Sequence, residues 1–396
     1  MSITTRKWLS MPLSEIANID RTAVSPENIK SGTNYVGLEN VTNSGKFVGV
    51  ATVSNGDLAS TKYVFTNKHI LYGKLRPYLA KIARPDFSGV CSTDILPILP
   101  SPKVDRGFLL HYLRQPRMVD YASSRTSGAN LPRLSPKTLA EFEIPLPPLS
   151  EQKRIANILD KADAIRRKRQ EAIDQFGTLT HSLFNDMFAK KLSTTQWTGL
   201  DNYLVELRYG TSNKSGDGGY TTLRIPNIVR GIIDLDDLKT VELSENEFEK
   251  LKLIDEDILF VRTNGNPDYV GRCAVFESKQ MKQAGLNANK VTYASYLIRA
   301  RLQLDRLRPV FLQSLLQTSA GRNNVREKCR TSAGQYNINT KGIGSLQIPD
   351  IKFNEQVEFE KRVLSLRPVQ NNLIESHKES DQLFNSLVQR AFKGKL

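Results

Sequence analysis

The chain repeats itself at a fixed spacing, and this limits what it can fold into. Fixed-period self-similarity is the signature of a duplicated structural unit. We therefore expect two related halves, each with a globular region followed by a helical segment. The matching segments, always 204 residues apart, include Ile144-Pro145 and Ile348-Pro349, Glu151-Gln152 and Glu355-Gln356, and Ser182-Leu183 and Ser386-Leu387.

Two helical segments carry apolar residues at heptad spacing, which is typical of helices that pack along a stripe. Two such helices in one chain can bury their stripes against each other, and about 35 residues would span ~50 Å. The alternative is two unrelated surface helices, each packed on its own domain. Pro368 should kink or break the second helix near Arg367. The predicted seam consists of Ile155, Leu159, Ala162, Ile173, Phe176, Leu183 and Met187, then Phe359, Val363, Leu366, Leu373, Phe384 and Leu387, with Arg166, Arg169 and Thr180 as polar interruptions in the first helix.

The globular regions alternate strand and helix patterns separated by turn residues. We expect strands at 35–41, 47–53, 70–74, 224–229 and 258–262, and helices at 107–120 and 307–318. The predicted fold class is α+β, with two pseudo-repeated α/β domains and a pair of long antiparallel helices. The predicted domains are 1–149, 150–190, 191–352 and 353–396.

The charge of the chain favours a polyanionic partner. Lys and Arg total 56 against 41 acidic residues, which gives +15 and a pI near 9.6. Nucleic acid is the commonest partner of such a protein. The three cysteines and four histidines are scattered, so neither a disulfide framework nor a metal site is expected. No apolar run reaches the ~18 residues of a membrane span, and the expected location is the cytoplasm.

Catalytic motifs are missing or incomplete. There is no phosphate-binding loop and no dinucleotide fingerprint. Residues 266–269 read Asn-Pro-Asp-Tyr, which resembles the N-P-P-Y motif of amino-methyltransferases without its second proline. Asp268, Glu277 and Lys279 also fit a loose P-D…E-x-K nuclease pattern, in which the carboxylates would hold Mg²⁺. A turn before a strand explains the same residues, and we predict no catalytic or metal-binding residue.

Basic and amide side chains in loops are candidates for DNA contact. Arg and Lys neutralise phosphates, and Arg, Asn and Gln pair with base edges. Any one of these residues also fits a solvated loop tip. The first half contributes Lys74, Arg76, Lys81, Arg125, Thr126, Ser127 and Asn130, and the second half contributes Arg262, Thr263, Asn264, Arg330, Ser332, Gln335 and Asn337.

The repeated segments resemble the conserved regions of type I restriction–modification specificity subunits. Residues 144–152 read Ile-Pro-Leu-Pro-Pro-Leu-Ser-Glu-Gln and lead into a long helix, as in the family's central region. Residues 348–392 resemble its C-terminal region, although Asp350 stands where the first copy has Leu146 and the second proline is missing. The two globular regions support the resemblance by length and position alone.

The resemblance implies that each globular region is a target-recognition domain for half of a bipartite double-stranded DNA site. The paired helices would set the spacer between the half-sites and dock two methyltransferase subunits. Motor-nuclease subunits would complete the restriction enzyme, and no membrane is involved. S-adenosylmethionine, ATP and Mg²⁺ would be bound by these partners and not by this chain. Asp160, Asp163, Arg167 and Glu171 are candidates for the partner-facing surface.

Three functional hypotheses remain open at this stage. The first is a non-catalytic specificity subunit that reads DNA. The second is a DNA adenine methyltransferase or nuclease that acts alone. The third is a coiled-coil adaptor whose positive charge is incidental.

Overall fold

A computed structural model of the chain describes residues 8–396 except Asn55, Asp217, Arg230 and Ala333, and the side chain of Ser332 lies outside the described part. The chain divides into two compact units. Unit 1 comprises Met1–Gln170 and Glu375–Leu396, and unit 2 comprises Glu171–Ile374. Each unit contains sheets, short helices and a stretch of both long helices, so the predicted α+β class is confirmed. Among the described residues, no helix combines the length and apolar character that crossing a membrane requires.

Unit 1 contains a four-stranded antiparallel sheet in the order β2-β10-β7-β8 and a five-stranded sheet in the order β3-β6-β9-β4-β5, in which β4 and β9 are parallel. Strands β1 and β11 pair separately. The strands are β1 (Ser10–Pro12), β2 (Ala17–Ile19), β3 (Ala23–Val24), β4 (Thr33–Val36), β5 (Ala51–Val53), β6 (Lys62–Phe65), β7 (Ile70–Gly73), β8 (Ile82–Ala83), β9 (Gly89–Cys91), β10 (Ile95–Pro100) and β11 (Glu143–Pro145). The helices are α1 (Leu13–Ile16), α2 (Arg106–Leu113), α3 (Pro116–Ser123), α4 (Pro136–Ala140) and the long α5 (Leu149–Leu192).

Unit 2 repeats this plan. A four-stranded antiparallel sheet has the order β13-β22-β18-β20, and a three-stranded sheet, β17-β14-β21, contains the parallel pair β14 and β21. The strands are β12 (Trp197–Gly199), β13 (Leu204–Tyr209), β14 (Tyr220–Leu223), β15 (Ile228–Val229), β16 (Ile232–Ile233), β17 (Lys239–Val241), β18 (Ile258–Val261), β19 (Thr263–Asn264), β20 (Cys273–Val275), β21 (Val291–Tyr293), β22 (Leu297–Leu302), β23 (Arg330–Ser332), β24 (Gln335–Asn337) and β25 (Gln347–Pro349). The helices are α6 (Glu245–Leu251), α7 (Ser278–Gln283), α8 (Pro309–Gln317), α9 (Ser319–Lys328), α10 (Thr340–Gly344) and the long α11 (Phe353–Phe392).

The two long helices pack against each other in opposite directions within each unit. In unit 1, Arg166 of α5 lies 3.6 Å from the Asp381 carboxylate of α11 and stacks over the Phe384 ring. In unit 2, the Lys191 ammonium lies 2.6 Å from the Glu355 carboxylate. Within unit 1, Arg169 lies further along α5 and is hydrogen-bonded to Ser376 and Ser380, which lie earlier on α11. Within unit 2, Phe184 lies earlier on α5 and packs on Phe359, which lies later on α11, so the helices are antiparallel in each unit.

The apolar face of these helices is wider than a heptad seam. Of the predicted seam residues, Ile155, Leu159 and Phe359 are fully buried, and Leu183 and Met187 are partly buried. The heptad pattern left out Phe184 and Phe188, which are also fully buried and whose rings lie 5.4 and 5.5 Å from Phe359. Both also pack on Phe311 of α8, because the globular core of unit 2 covers a second side of α5.

A buried glutamine near the start of one long helix anchors that helix in each unit: Gln152 of α5 in unit 1 and Gln356 of α11 in unit 2. The Gln152 side chain accepts a hydrogen bond from the Asp105 amide (2.8 Å) and donates to the carbonyls of Lys103 (3.2 Å) and Pro147 (2.9 Å). Its repeat partner makes the same three bonds in unit 2, to the Arg308 amide and the carbonyls of Arg306 and Ile351. Both side chains are almost fully buried. The glutamine of the repeated Glu-Gln pair is therefore a structural anchor.

Several predicted element bounds are wrong because turn-forming residues end the strands and helices earlier than strand and helix propensity predicts. The strand predicted at 35–41 ends at Val36, since the Asn40 side chain accepts from the Gly37 amide and closes a 3-10 turn. The strand predicted at 47–53 is shorter and begins at Ala51. The helix predicted at 107–120 is two helices, because Pro116 lacks the amide that would continue α2.

Two further bounds are wrong in unit 2, both near a proline. The strand predicted at 224–229 is interrupted by a 3-10 turn around Pro226, and the helix predicted at 307–318 begins at Pro309, a favoured first position. Helix α11 does not break near Arg367. It runs through Pro368, which has no amide hydrogen for the bond inside the helix, and the predicted kink stays a prediction.

Candidate nucleic-acid interface

Backbone hydrogen bonds bring the two predicted groups of unit 1 together. The Leu134 amide donates to the Lys74 carbonyl at 2.9 Å, and the Arg76 amide donates to the Pro132 carbonyl at 2.7 Å. The end of β7 therefore lies beside the loop that contains Arg125, Thr126, Ser127 and Asn130, which is further tied by a bridge between Ser127 and Arg133.

The side chains of this group differ in how much surface they offer. Arg76, Arg125, Ser127 and Asn130 are exposed, while Lys74 and Thr126 are half-buried. The Arg125 guanidinium lies 3.5 Å from the centre of the Tyr121 ring, which fixes its direction. Lys81 differs, because its ammonium donates to the Leu38 carbonyl at 2.6 Å and so supports the loop after β4.

Unit 2 joins the corresponding groups in a small sheet. Strand β19, with Thr263 and Asn264, pairs with β24, and β24 pairs with β23, which begins at Arg330. The Ile338 amide donates to the Arg262 carbonyl at 2.9 Å, which is the bond that Leu134 makes to Lys74 in unit 1. The end of the hairpin strand and the Arg-Thr-Ser segment therefore meet in the same way in both units.

A few contacts orient the polar side chains of the β19-β24-β23 sheet. The Thr263 hydroxyl donates to the Gln335 side-chain oxygen at 3.1 Å. The Arg262 guanidinium lies 4.9 Å from the centre of the Tyr209 ring. Arg330 and Gln335 are exposed, and Asn264 and Asn337 are half-buried. The side chain of Ser332 lies outside the described part of the chain.

Three arginines that sequence reasoning missed lie beside this sheet. Arg322 and Arg326 are one turn apart on α9, and Arg272 stacks on Tyr269 with its guanidinium 3.7 Å from the ring centre. Arg326 is hydrogen-bonded to Asp268, and this bond holds the pKa of that carboxyl below its usual value. The only sequence signal was the spacing of four between Arg322 and Arg326, which places both on one helix face.

The residues of the two catalytic patterns are engaged in structural contacts. Asp268 is bound by Arg326, and Glu277 is bound by Arg367, so each carboxylate has a fixed cationic partner. The Asn266 side-chain oxygen accepts from the Asp268 amide at 2.9 Å, which is an ordinary turn contact. Among the described residues, no three metal-ligating side chains gather closely enough to hold a metal ion.

The predicted partner-facing residues are not equally accessible. Burial raises the pKa of Asp160, but a hydrogen bond from buried His111 and the charge of Arg84 bring it below the ordinary value. Asp160 keeps a partly exposed carboxylate. Asp163 is only 5% exposed and is held by Arg166 and Arg167, so its carboxylate does not face a partner, contrary to the prediction.

The other two predicted partner-facing residues, Arg167 and Glu171, keep solvent-accessible surface. Arg167 is half-buried, and besides binding Asp163 it donates to the Ser44 carbonyl at 3.1 Å. Glu171 is exposed.

Comparison with known proteins identifies the family. Residues 5–175 match the family described as "Type I restriction modification DNA specificity domain". The chain is 30% identical to the Type I restriction enzyme EcoKI specificity subunit of Escherichia coli (strain K12) over 322 residues, which are 75% of this chain and 67% of that protein. It is 31% identical to the Escherichia coli EcoDI specificity subunit over 194 residues, 48% of this chain and 43% of that one.

A solved structure shares the fold. The crystal structure of the type I restriction–modification S subunit from M. genitalium matches with a TM-score of 0.55 and 14% identity, over 99% of this chain and 97% of that chain. This similarity supports the architecture of two α/β units with long helices. The chain belongs to the family of type I restriction enzyme specificity subunits.

Proposed function

We propose that this chain reads a bipartite DNA sequence, one half-site with each unit, and performs no chemistry itself. One observation carries the proposal. In both units, the same backbone hydrogen bond joins the residue after a buried hairpin strand, Lys74 or Arg262, to the segment that follows an Arg-Thr-Ser sequence. A cation and a row of hydrogen-bonding side chains thus stand together on each unit, as base and phosphate recognition requires.

The long helices would set the distance between the half-sites. Both α5 and α11 contribute residues to each of the two units, which supports this role. Positions along α5 that retain accessible surface are candidates for docking methyltransferase subunits, namely half-buried Asp160 and Arg167 and exposed Glu171. Those subunits would bind S-adenosylmethionine and modify adenine, and motor-nuclease subunits would bring ATP and Mg²⁺.

Exchange of one unit's reading region tests the proposal. Residues 197–350 would be replaced by the equivalent region of another specificity subunit, and methylated adenines would be mapped genome-wide in cells with the partner subunits. One half-site should change and the other should stay. A change in both half-sites would contradict independent reading by the two units.

Binding measurements separate the remaining hypotheses. The affinity of the chain for DNA, with its methyltransferase partners, should fall steeply with salt, because each neutralised phosphate contributes about −0.9 to the slope of log K against log salt. A coiled-coil adaptor would give no such slope. Methylation or cleavage of DNA by the purified chain alone would instead favour the stand-alone enzyme.

A further inference from the structure

Each unit presents one exposed tyrosine at the tip of the same hairpin. Tyr78 lies between β7 and β8 and is 55% exposed, and Tyr269 lies between β18 and β20 and is 42% exposed. The two hairpins occupy corresponding places in their four-stranded sheets. A single exposed apolar side chain is ordinary at a protein surface, but here an exposed tyrosine recurs at the tip of the same hairpin in both units.

The tip of unit 1 is held in an unusual conformation. Arg76 and Ala80, on either side of the turn that carries Tyr78, have φ angles of 50° and 49°, in the left-handed region that non-glycine residues rarely adopt. Two bonds close the turn, from the Leu79 amide to the Arg76 carbonyl (2.9 Å) and from the Ala80 amide to the Pro77 carbonyl (2.8 Å). Such strain persists where the surrounding structure fixes it, and it clusters at ligand-contacting segments.

The tip of unit 2 is fixed by arginines. One guanidinium nitrogen of Arg322 donates to the carbonyls of Asp268 (3.2 Å) and Val270 (2.8 Å), on both sides of Tyr269. The Arg272 guanidinium covers one face of the Tyr269 ring at 3.7 Å. The ring is therefore directed before any ligand arrives.

The surroundings of both tips select a nucleic acid as the ligand. Lys74 and Arg76 directly precede the first tip, and Arg272 and Arg326 stand beside the second. Cations attract the phosphates, and an aromatic ring gains contact energy by stacking on a base or entering between two base pairs.

We propose that Tyr78 and Tyr269 insert into the base stack of DNA, one in each half-site. This inference rests on the proposed function, since it assigns each tip to the half-site read by its own unit. The tyrosines act as stacking wedges that unstack one base step. The hydroxyl plays no part, because the stacking surface is the ring.

The test uses the chain in complex with its methyltransferase partners. Duplexes containing the mapped site carry 2-aminopurine, whose fluorescence rises on unstacking, at one purine at a time. We expect a rise at one step in each half-site. Tyr78→Ala should abolish the rise in one half-site and Tyr269→Ala in the other, each weakening binding roughly 5- to 150-fold, the equivalent of about 1–3 kcal/mol.

Matched variants control for folding. Tyr78→Phe and Tyr269→Phe should keep both signals, which shows that the ring suffices. Val48→Ala and Val205→Ala remove exposed apolar side chains elsewhere, 41% and 63% exposed, and should leave both signals unchanged.

The outcomes separate this inference from the proposed function. Wild-type complex that fails to prefer the mapped site over a scrambled duplex would refute the proposed function. Site preference with flat 2-aminopurine signals, or with signals that persist in both alanine variants, would overturn only the wedges. Loss of methyltransferase binding in the alanine variants, with DNA signals retained, would also overturn them, because the tips would then contact protein.

Discussion

Replacement of Gln152 by leucine should destabilise unit 1 selectively. Leucine has a similar volume and keeps the site filled, so the change removes hydrogen bonds and little packing. The lost bonds are those to the Asp105 amide and to the carbonyls of Lys103 and Pro147, at 2.8, 3.2 and 2.9 Å. A buried hydrogen bond contributes about 1 kcal/mol net, so the three give a loss of about 3 kcal/mol.

The two tryptophans of the chain allow the units to be followed separately. Trp8 packs on the core of unit 1 and Trp197 on the core of unit 2. In a Trp197→Phe background, urea unfolding followed by fluorescence reports unit 1, and in a Trp8→Phe background it reports unit 2. Gln152→Leu should lower the first transition and leave the second in place.

The repeat supplies a reciprocal experiment. Gln356→Leu should lower the unit 2 transition instead, by a smaller amount, because its contact with the Arg306 carbonyl is long at 3.4 Å. Gln389→Leu changes an exposed glutamine of α11 within unit 1 and serves as the control. If Gln152→Leu costs no more than Gln389→Leu, or shifts both transitions equally, the anchor argument is refuted.

Three further predictions follow from the helices. Burial raises the pKa of Asp163, but the charges of Arg167 and Arg166 outweigh burial and lower that pKa. The ionised carboxylate therefore stabilises unit 1 at pH values above its unfolded pKa of about 3.9, and this stability is lost as pH falls through the folded pKa. Asp163→Asn should flatten the pH dependence of the free energy of unfolding below about pH 4. Pro368→Ala restores a backbone hydrogen bond inside α11 and should raise the free energy of unfolding of unit 2 by up to about 3 kcal/mol, seen as a higher urea midpoint. A lower midpoint would mean that the proline stabilises the helix at this position. Insertion of one heptad into both long helices adds about 10 Å and should lengthen the spacer of the methylated site by roughly 3 base pairs. An unchanged spacer would refute the proposal that the helices set the distance between the half-sites.

The sequence predicted the architecture because duplication leaves a signal at every matched position. The fold class and the two long helices could be predicted from a repeat and a heptad pattern, which are local properties. Element bounds could not, because they depend on single turn contacts. The Asn227 side chain, for example, accepts from the Arg224 amide and donates to the carbonyls of Asp234 and Asp236, and this network ends the extended segment.

The candidate interface was predictable in part for a similar reason. Strand ends and an Arg-Thr-Ser repeat are visible in the sequence, and the structure places them side by side. The burial of Asp163 and the engagement of Lys81 with Leu38 were not visible, because both depend on groups distant in sequence. Charge alone does not distinguish a carboxylate that faces solvent from one that arginines enclose.

The repeat preserves hydrogen bonds that shape the backbone, even where exposed side chains differ. Asn40 closes a turn by accepting from the Gly37 amide, and Asn227 closes the equivalent turn from the Arg224 amide. The carbonyl of Lys74 in unit 1 and that of Arg262 in unit 2 accept the same bond, although their side chains differ. Sequence readout depends on side chains, and their placement depends on the backbone. Two units that share their backbone bonds and differ in exposed side chains can therefore read two different half-sites with one scaffold, so exchanging exposed residues between equivalent positions should transfer preference without loss of stability.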